Sequence, residues 1–277
     1  MAHANLTDLL TDPRFELLPF AGFEEEVGHL PEGAKVAVTA SPDKGLDLTV
    51  EKSIELADRG FEVTPHIAAR SVRDEAHITE IAERFTEADI TDVFIPGGDN
   101  EHPAGAFDSS YSLLSTMDDL GIEFEDVGIT GYPEGHHFLE NDVLWDHLEK
   151  KRPHATYIVT QLCFDPTAVI DWIDEVRERD IDLPIQVGVP GVMKYQRLLN
   201  ISSRIGVGES ISFLRKTTGI LGFIRQVIGS RGNFTPDRLV DGVADHANDP
   251  AYGIQGVHLY TFNQVADTEA WRASRLQ

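Results

Sequence analysis

Short apolar, β-branched runs recur along this chain, each closing on a polar residue, with helix-like stretches between them. RFELLPF carries Glu16, KVAVTAS carries Thr39 and Ser41, and FEVTPHIAA carries His66. VFIPGGD ends on Asp99, and VGITGYPEGHH ends on Tyr132, Glu134 and His136. TYIVTQLCFD carries Gln161 and Asp165, PIQVGVPGV runs into Lys194 and Tyr195, and VHLYTFN ends on Asn263. About eight strand-like units alternating with helices is the arithmetic of an α/β chain closed into one (β/α)8 TIM barrel. TYIVTQLCF shows no alternation of polarity, as expected of a parallel strand buried on both faces. Barrel active sites lie at the C-terminal ends of the strands, so the polar endings form a candidate list of site residues.

A chain of 277 residues suits a single barrel domain over 1–277. Residues 1–12 read as an N-terminal extension. Residues 196–247 are too long for one helix and read as an elaborated helical crossover between the seventh and eighth strands. The helical stretches carry end signals. Ser71 followed by Asp74 resembles a capping box for SVRDEAHITEIAERF. Asp165 and Pro166 read as cap and first turn of DPTAVIDWIDEVRERD, and Thr235 and Pro236 as the same pair for TPDRLVDGVADHA. NDVLWDHLEKKR ends on basic residues, as a helix C-terminus favours.

The formal net charge of −24 argues against nucleic-acid and anionic-membrane partners. Abundant acid with sparse lysine is what a salt-rich cytoplasm favours, because a dense acidic surface repels itself at low ionic strength. No apolar run reaches the roughly 20 residues that span a bilayer. MAHANLTDLLTD has neither a basic nor an apolar leader segment, so a cytoplasmic location is expected. Cys163, the single cysteine, rules out an intrachain disulfide and a thiolate zinc site, and reads as a small core residue in QLCF. Between Lys194 and Thr235 the only acid is Glu209, among seven basic residues. Such an island fits an anionic tail, or pairs with acidic helices elsewhere.

Glu16 sits in an apolar strand, where a glutamate either faces the barrel mouth or is buried at high cost. Apolar surroundings raise a carboxyl pKa and suit it to general-acid work. Gly97 and Gly98 allow close backbone approach to a ligand beside Asp99. Gln161 offers an amide that pairs with a heterocycle edge. GYPEGHH is dense in polar groups but lacks the helical two-histidine spacing of zinc proteases, so no metal site is expected. No GxSxG elbow is present.

Taken in order, FELLP, Val38-Thr39, Pro65-His66, GGD, GYPEGHH, TQLCFD, a VPG turn and HLYTFN resemble the methylenetetrahydrofolate reductase family from about residue 13 onward. The resemblance implies a barrel that reduces methylenetetrahydrofolate to methyltetrahydrofolate with electrons from NADH or NADPH. By position, Glu16 matches the family's general acid. Asp99, Gln161 and Tyr195 match substrate-binding positions, and Thr39, His66, Tyr132, His136 and Lys150 match positions lining the flavin (FAD) site. The departures fall on the flavin side. Gly97 stands where the family has arginine, Glu149 stands beside Lys150 where many members carry a base, and VTASP at Val38–Pro42 replaces VTYGA. That asymmetry favours direct hydride transfer without flavin, as in the family's divergent flavin-free branch. The same reaction through bound FAD, a non-catalytic folate-binding protein and an unrelated barrel lyase or hydrolase are the alternatives. Oligomeric state is not read from the sequence.

Overall fold

A computed structural model describes residues 2–40, 45–136, 139–194, 197 and 233–277. The strands are β1 Arg14–Leu17, β2 Lys35–Val38, β3 Glu62–Pro65 and β4 Asp92–Phe94. They continue with β5 Asp126–Gly131, β6 Tyr157–Thr160, β7 Ile185–Pro190 and β8 Ile254–Tyr260. All eight runs read from the sequence are therefore strands. They pair in parallel in the order β3-β2-β1-β8-β7-β6-β5-β4. A parallel bridge between His66 and Phe94 joins the two ends, closing a (β/α)8 barrel.

The helices are α1 Ala2–Thr11, α2 Phe23–Val27, α3 Gly45–Asp58, α4 Glu75–Glu87, α5 Ser110–Leu120, α6 Asn141–Lys151, α7 Pro166–Glu178, α8 Asp237–Ala244 and α9 Val265–Arg275. Their apolar stripes pack on the outward faces of the strands. Val169, Trp172, Ile173 and Val176 of α7 are buried, as are Ile78, Ile81 and Phe85 of α4. Each such side chain contributes roughly 1.5–3 kcal/mol through burial. Helix α1 covers part of this shell, with Leu6, Leu9 and Leu10 buried beside α8, α9 and β8. A two-residue antiparallel pair, Met193–Lys194 with Asn233–Phe234, stands apart from the barrel sheet. Among the described residues no helix is long and apolar enough to cross a membrane. Of the 196–247 crossover, α8 is described, and most of the rest lies outside the described residues.

Asp165 caps α7, accepting the Thr167 N–H at 3.0 Å, with Pro166 in the first turn. Two other caps differ from the sequence reading. Helix α4 starts at Glu75, capped by Asp74, which accepts the His77 N–H at 2.8 Å. Ser71 instead ends a single 3-10 turn, and its hydroxyl accepts from Asn100 Nδ2 at 3.1 Å, so it is not the cap. Helix α8 starts at Asp237, and the Thr235 hydroxyl donates to the Asp237 carboxylate rather than accepting from the helix N-terminus. Cys163 is buried as expected, but in the turn after β6 rather than in the strand.

Strand register sets which side chains fill the barrel. Paired residues of neighbouring strands share a face, and the alternation sends Arg14 and Glu16, Thr64 and His66, Asp92 and Phe94, and Tyr157 and Val159 inward. Bulky rings need glycines opposite them. A Cβ on Gly128 would lie 2.5 Å from the Tyr157 ring. One on Gly188 would lie 2.2 Å from the Thr160 carbonyl oxygen and 2.6 Å from the Tyr260 ring. The interior is therefore layered: a polar floor at Arg14, Thr64, Asp92 and Tyr157, an apolar middle at Phe94 and Val159, and a polar mouth.

Candidate active site

Glu16, at the inward face of β1, is the centre of the mouth. It is 6% exposed. Burial pushes its carboxyl up to about 7, against a smaller pull downward from His66. His258, on the neighbouring strand β8, brings Nε2 to 3.2 Å from Glu16 Oε2. His66, on β3, stacks on His258 with ring centroids 6.1 Å apart and packs on Phe94 at 4.7 Å. Burial drives both imidazoles down, His66 to about 4 and His258 to about 3. Both imidazoles are thus neutral at pH 7, so the Glu16–His258 contact is a hydrogen bond and not an ion pair, and the carboxyl is the group that holds a transferable proton.

The β1 terminus is held in place by the end of β8. The Thr261 hydroxyl donates to the Glu16 carbonyl oxygen. Asn263 pairs with the Leu18 main chain in both directions, its Oδ1 accepting the N–H at 2.8 Å and its Nδ2 donating to the carbonyl at 2.9 Å. Phe262 and Asn263 both adopt the left-handed region, with φ of 48° and 54°. Strain of this kind persists only where surrounding contacts enforce it, and here those contacts hold the end of β1. Tyr260 closes the ring of contacts by donating to the Thr160 carbonyl at 2.9 Å.

The other sequence candidates divide. Thr39 and His66 are buried at the ends of β2 and β3, and Thr39 Oγ1 and His66 Nε2 find no hydrogen-bond partner among the described residues. Asp99 is exposed on the loop after β4, near enough that its charge helps burial raise the Tyr132 hydroxyl. Gly98, at φ 93°, makes that loop turn above Ala68. Tyr132 meets His136 edge to face at 5.2 Å. Gln161 continues the inward alternation of β6, and its Oε1 accepts the Leu162 N–H at 2.8 Å. Lys150 is not brought to this group. It is exposed near the C-terminal end of α6, hydrogen-bonded to Asp146 at 2.5 Å. The neighbouring Lys151 turns inward instead, with Nζ 3.0 Å from Thr130 Oγ1. Tyr195, Ser41 and His137 lie outside the described residues, as does most of the basic stretch after Lys194.

Sequence reading missed His258 and Tyr260, which lie within the run VHLYTFN rather than at its end. Their spacing of two, matching Arg14 and Glu16 on the adjacent strand, was the available signal. Glu16, His66 and His258 each offer one ligand atom, all within 4.8 Å of one another. That donor set suits a transition metal in principle. Beneath the trio the Arg14 guanidinium is paired with Asp92 at 2.6 Å.

Residues 29–270 match the profile of Methylenetetrahydrofolate reductase. The chain belongs to the methylenetetrahydrofolate reductase family. A 72-residue stretch is 39% identical to Methylenetetrahydrofolate reductase 1 of Schizosaccharomyces pombe, covering 25% of this chain and 11% of that protein. Another, of 93 residues, is 38% identical to Methylenetetrahydrofolate reductase 2 of Saccharomyces cerevisiae, covering 32% of this chain and 15% of that one. The matched stretches thus span a small part of these relatives. A solved structure of a monomeric dihydrodipicolinate synthase variant aligns with a TM-score of 0.41 at 11% identity, over 66% of this chain and 64% of that one.

Proposed function

We propose that this chain reduces methylenetetrahydrofolate to methyltetrahydrofolate with hydride from NADH or NADPH. Family membership supports the reaction class. The observation that carries the reading is Glu16, a buried carboxyl at the barrel mouth whose pKa of about 7 keeps it half protonated at neutral pH. Glu16 delivers its proton to the folate's bridging nitrogen, which opens the five-membered ring to an iminium ion. Asp99 supplies negative charge toward that cation. Gln161 orients the pterin. Hydride then adds to the iminium carbon, giving the methyl group. The neutral histidines beside Glu16 leave it as the proton source.

The hydride comes straight from the nicotinamide in this reading. Flavin fits the described residues only in part. The unpartnered Thr39 Oγ1 and His66 Nε2 suit the edge of a flat heterocycle. Among the described residues, the cations near the positions that the resemblance gives to flavin are committed elsewhere. Gly97 has no side chain charge to offer. Arg70 beneath the same loop spends its guanidinium on the carbonyls of Asn100, Glu101 and Asp108 at 2.7, 2.8 and 2.9 Å. Lys150 pairs with Asp146. No step here is routed through flavin.

The test is an absorbance spectrum of the pure protein followed by NADH and NADPH oxidation with methylenetetrahydrofolate. A colourless protein that oxidises either nucleotide only when folate is present is the expected result. Bound yellow flavin would overturn the direct transfer, and absence of folate-dependent oxidation would overturn the reductase reading itself.

A further inference from the structure

Three buried side chains converge at the barrel mouth from different strands. Glu16 comes from β1, His258 from the neighbouring β8, and His66 follows β3. They are 6%, 1% and 7% exposed. One ligand atom from each lies within 4.8 Å of the others, and Glu16 Oε2 and His258 Nε2 stand 3.2 Å apart. Ligand atoms around a tetrahedral ion with bonds near 2.1 Å are about 3.4 Å apart, so a shift of about 1.4 Å, shared among the side chains, closes the widest gap. Two of the ring nitrogens, His66 Nε2 and His258 Nδ1, are buried with no hydrogen-bond partner among the described residues. A buried polar atom in that state is costly unless a water or a ligand satisfies it. The rings are also held in place by packing. His66 lies against Phe94 at 4.7 Å and stacks on His258 at 6.1 Å, and His258 meets Tyr260 at 4.8 Å. Ligands fixed in this way lose little freedom when they bind.

We propose that Glu16, His66 and His258 form a binding site for a divalent transition-metal ion, and that this ion and the catalytic proton exclude each other. Two imidazoles and one carboxylate match the three-ligand set of open zinc sites, in which water takes the fourth position. The same set serves other first-row ions. It suits Mg2+ and Ca2+ poorly, because those ions ask for a shell of oxygens and the trio offers one carboxylate. The charge below does not oppose the ion. Arg14, two residues before Glu16 on β1, is neutralised by its pairing with Asp92. The net charge of −24 draws cations toward the chain as a whole. Coordination takes the Glu16 carboxylate in its ionised form. The carboxyl O–H bond breaks, an oxygen–metal bond forms, the proton leaves to solvent, and no electron changes hands. A trio that holds the ion has no proton to deliver to folate, so the site is inhibitory. That consequence rests on the reductase reading, whereas the ion site itself does not.

The experiment uses the full chain, freed of metal by chelation and gel filtration. Co2+ is titrated in and followed by visible absorption, and Zn2+ or Mg2+ is then added. One equivalent of Co2+ is expected to give the intense bands of a four-coordinate ion, displaced by Zn2+ and untouched by excess Mg2+. Calorimetry with Zn2+ is expected to give a Kd of about 1 μM or tighter. Glu16→Gln and His258→Gln are each expected to lose the bands and to weaken Zn2+ binding at least about a hundredfold, since a lost ligand costs no less than a lost supporting partner. Glu16→Gln keeps the shape of the side chain, and its urea unfolding curve establishes that it is folded. Absence of Co2+ bands in the wild-type protein, or bands that persist in folded Glu16→Gln, overturns the site. With folate and NADH, one equivalent of Zn2+ is expected to lower turnover at least about tenfold, with recovery on adding a chelator. Zn2+ bound at the trio with turnover unchanged overturns the exclusion. Metal-free protein without folate-dependent oxidation defeats the reductase reading, and the Co2+ titration still decides the site.

Discussion

Glu16 is held in a state that costs the folded protein stability, and Glu16→Gln exposes that cost as a function of pH. The carboxyl rises from an ordinary 4.5 to about 7 because folding strips it of water. For a group raised on folding, the stabilising contribution is complete below the unfolded pKa and is lost as pH climbs to the folded one. Between pH 4.5 and 7 the unfolded chain releases the proton while the folded chain keeps it, so stability falls by about 1.4 kcal/mol per pH unit. The full difference is about 3 kcal/mol. Glutamine resembles the protonated acid and has no such loss. Glu16→Gln is therefore expected to match wild type near pH 5 within about 1 kcal/mol and to exceed it by about 2–3 kcal/mol at pH 8. Urea unfolding at constant ionic strength at the two pH values measures this directly. His66 and His258 titrate in both proteins and largely cancel. The same variant should bind folate and lose at least about a hundredfold in kcat. A stability difference that does not change with pH would refute the buried-acid argument, and near-wild-type turnover would refute the catalytic assignment.

Gly188→Ala places a Cβ 2.2 Å from the Thr160 carbonyl oxygen, so β7 must shift, and thermal unfolding should show a loss of about 2–3 kcal/mol. Asn263→Ala removes both bonds to Leu18 and frees the β1 terminus; a loss of about 2 kcal/mol is expected, with a fall in kcat larger than any change in KM. With a net charge of −24, the melting temperature should rise between low and molar salt, and a flat response in calorimetry would count against self-repulsion as the limiting force.

The strands were legible because period and composition agree. A run such as YIVT is composed throughout of strand-favouring residues and is buried throughout. Helix ends were less legible because capping is settled by competing partners. Ser71 is taken by Asn100 from a loop distant in sequence, and that partnership has no local signature. Helix phase separated Lys150 from Lys151: adjacent residues on a helix point about 100° apart, so one is solvated and the other buried. Within the site, Glu16 stood out because a lone carboxylate in an apolar strand demands explanation. Arg14 and His258 did not, since each gains its meaning only from the strand beside it. Spacing within one run reports a face, but not which partner shares it.

The partner in question is the most distant one in the chain. β1 pairs with β8, and the contacts that fix Glu16 come from His258, Thr261 and Asn263, with Leu18 and Asn263 separated by 245 positions. Closing so long a loop is entropically costly and is recovered only when the barrel shuts. Barrel closure and assembly of the acid site are consequently one event. An open barrel would leave Glu16 solvated and return its pKa toward the ordinary carboxylate range, removing the proton source proposed above. The Leu18 amide, whose acceptor is Asn263 Oδ1, reports that seam. Its hydrogen exchange should accelerate in Asn263→Ala in step with the loss of kcat, whereas amides of β5 and β6 on the far side should keep their protection. Fast exchange at Leu18 with turnover unchanged would separate closure from catalysis and contradict the coupling.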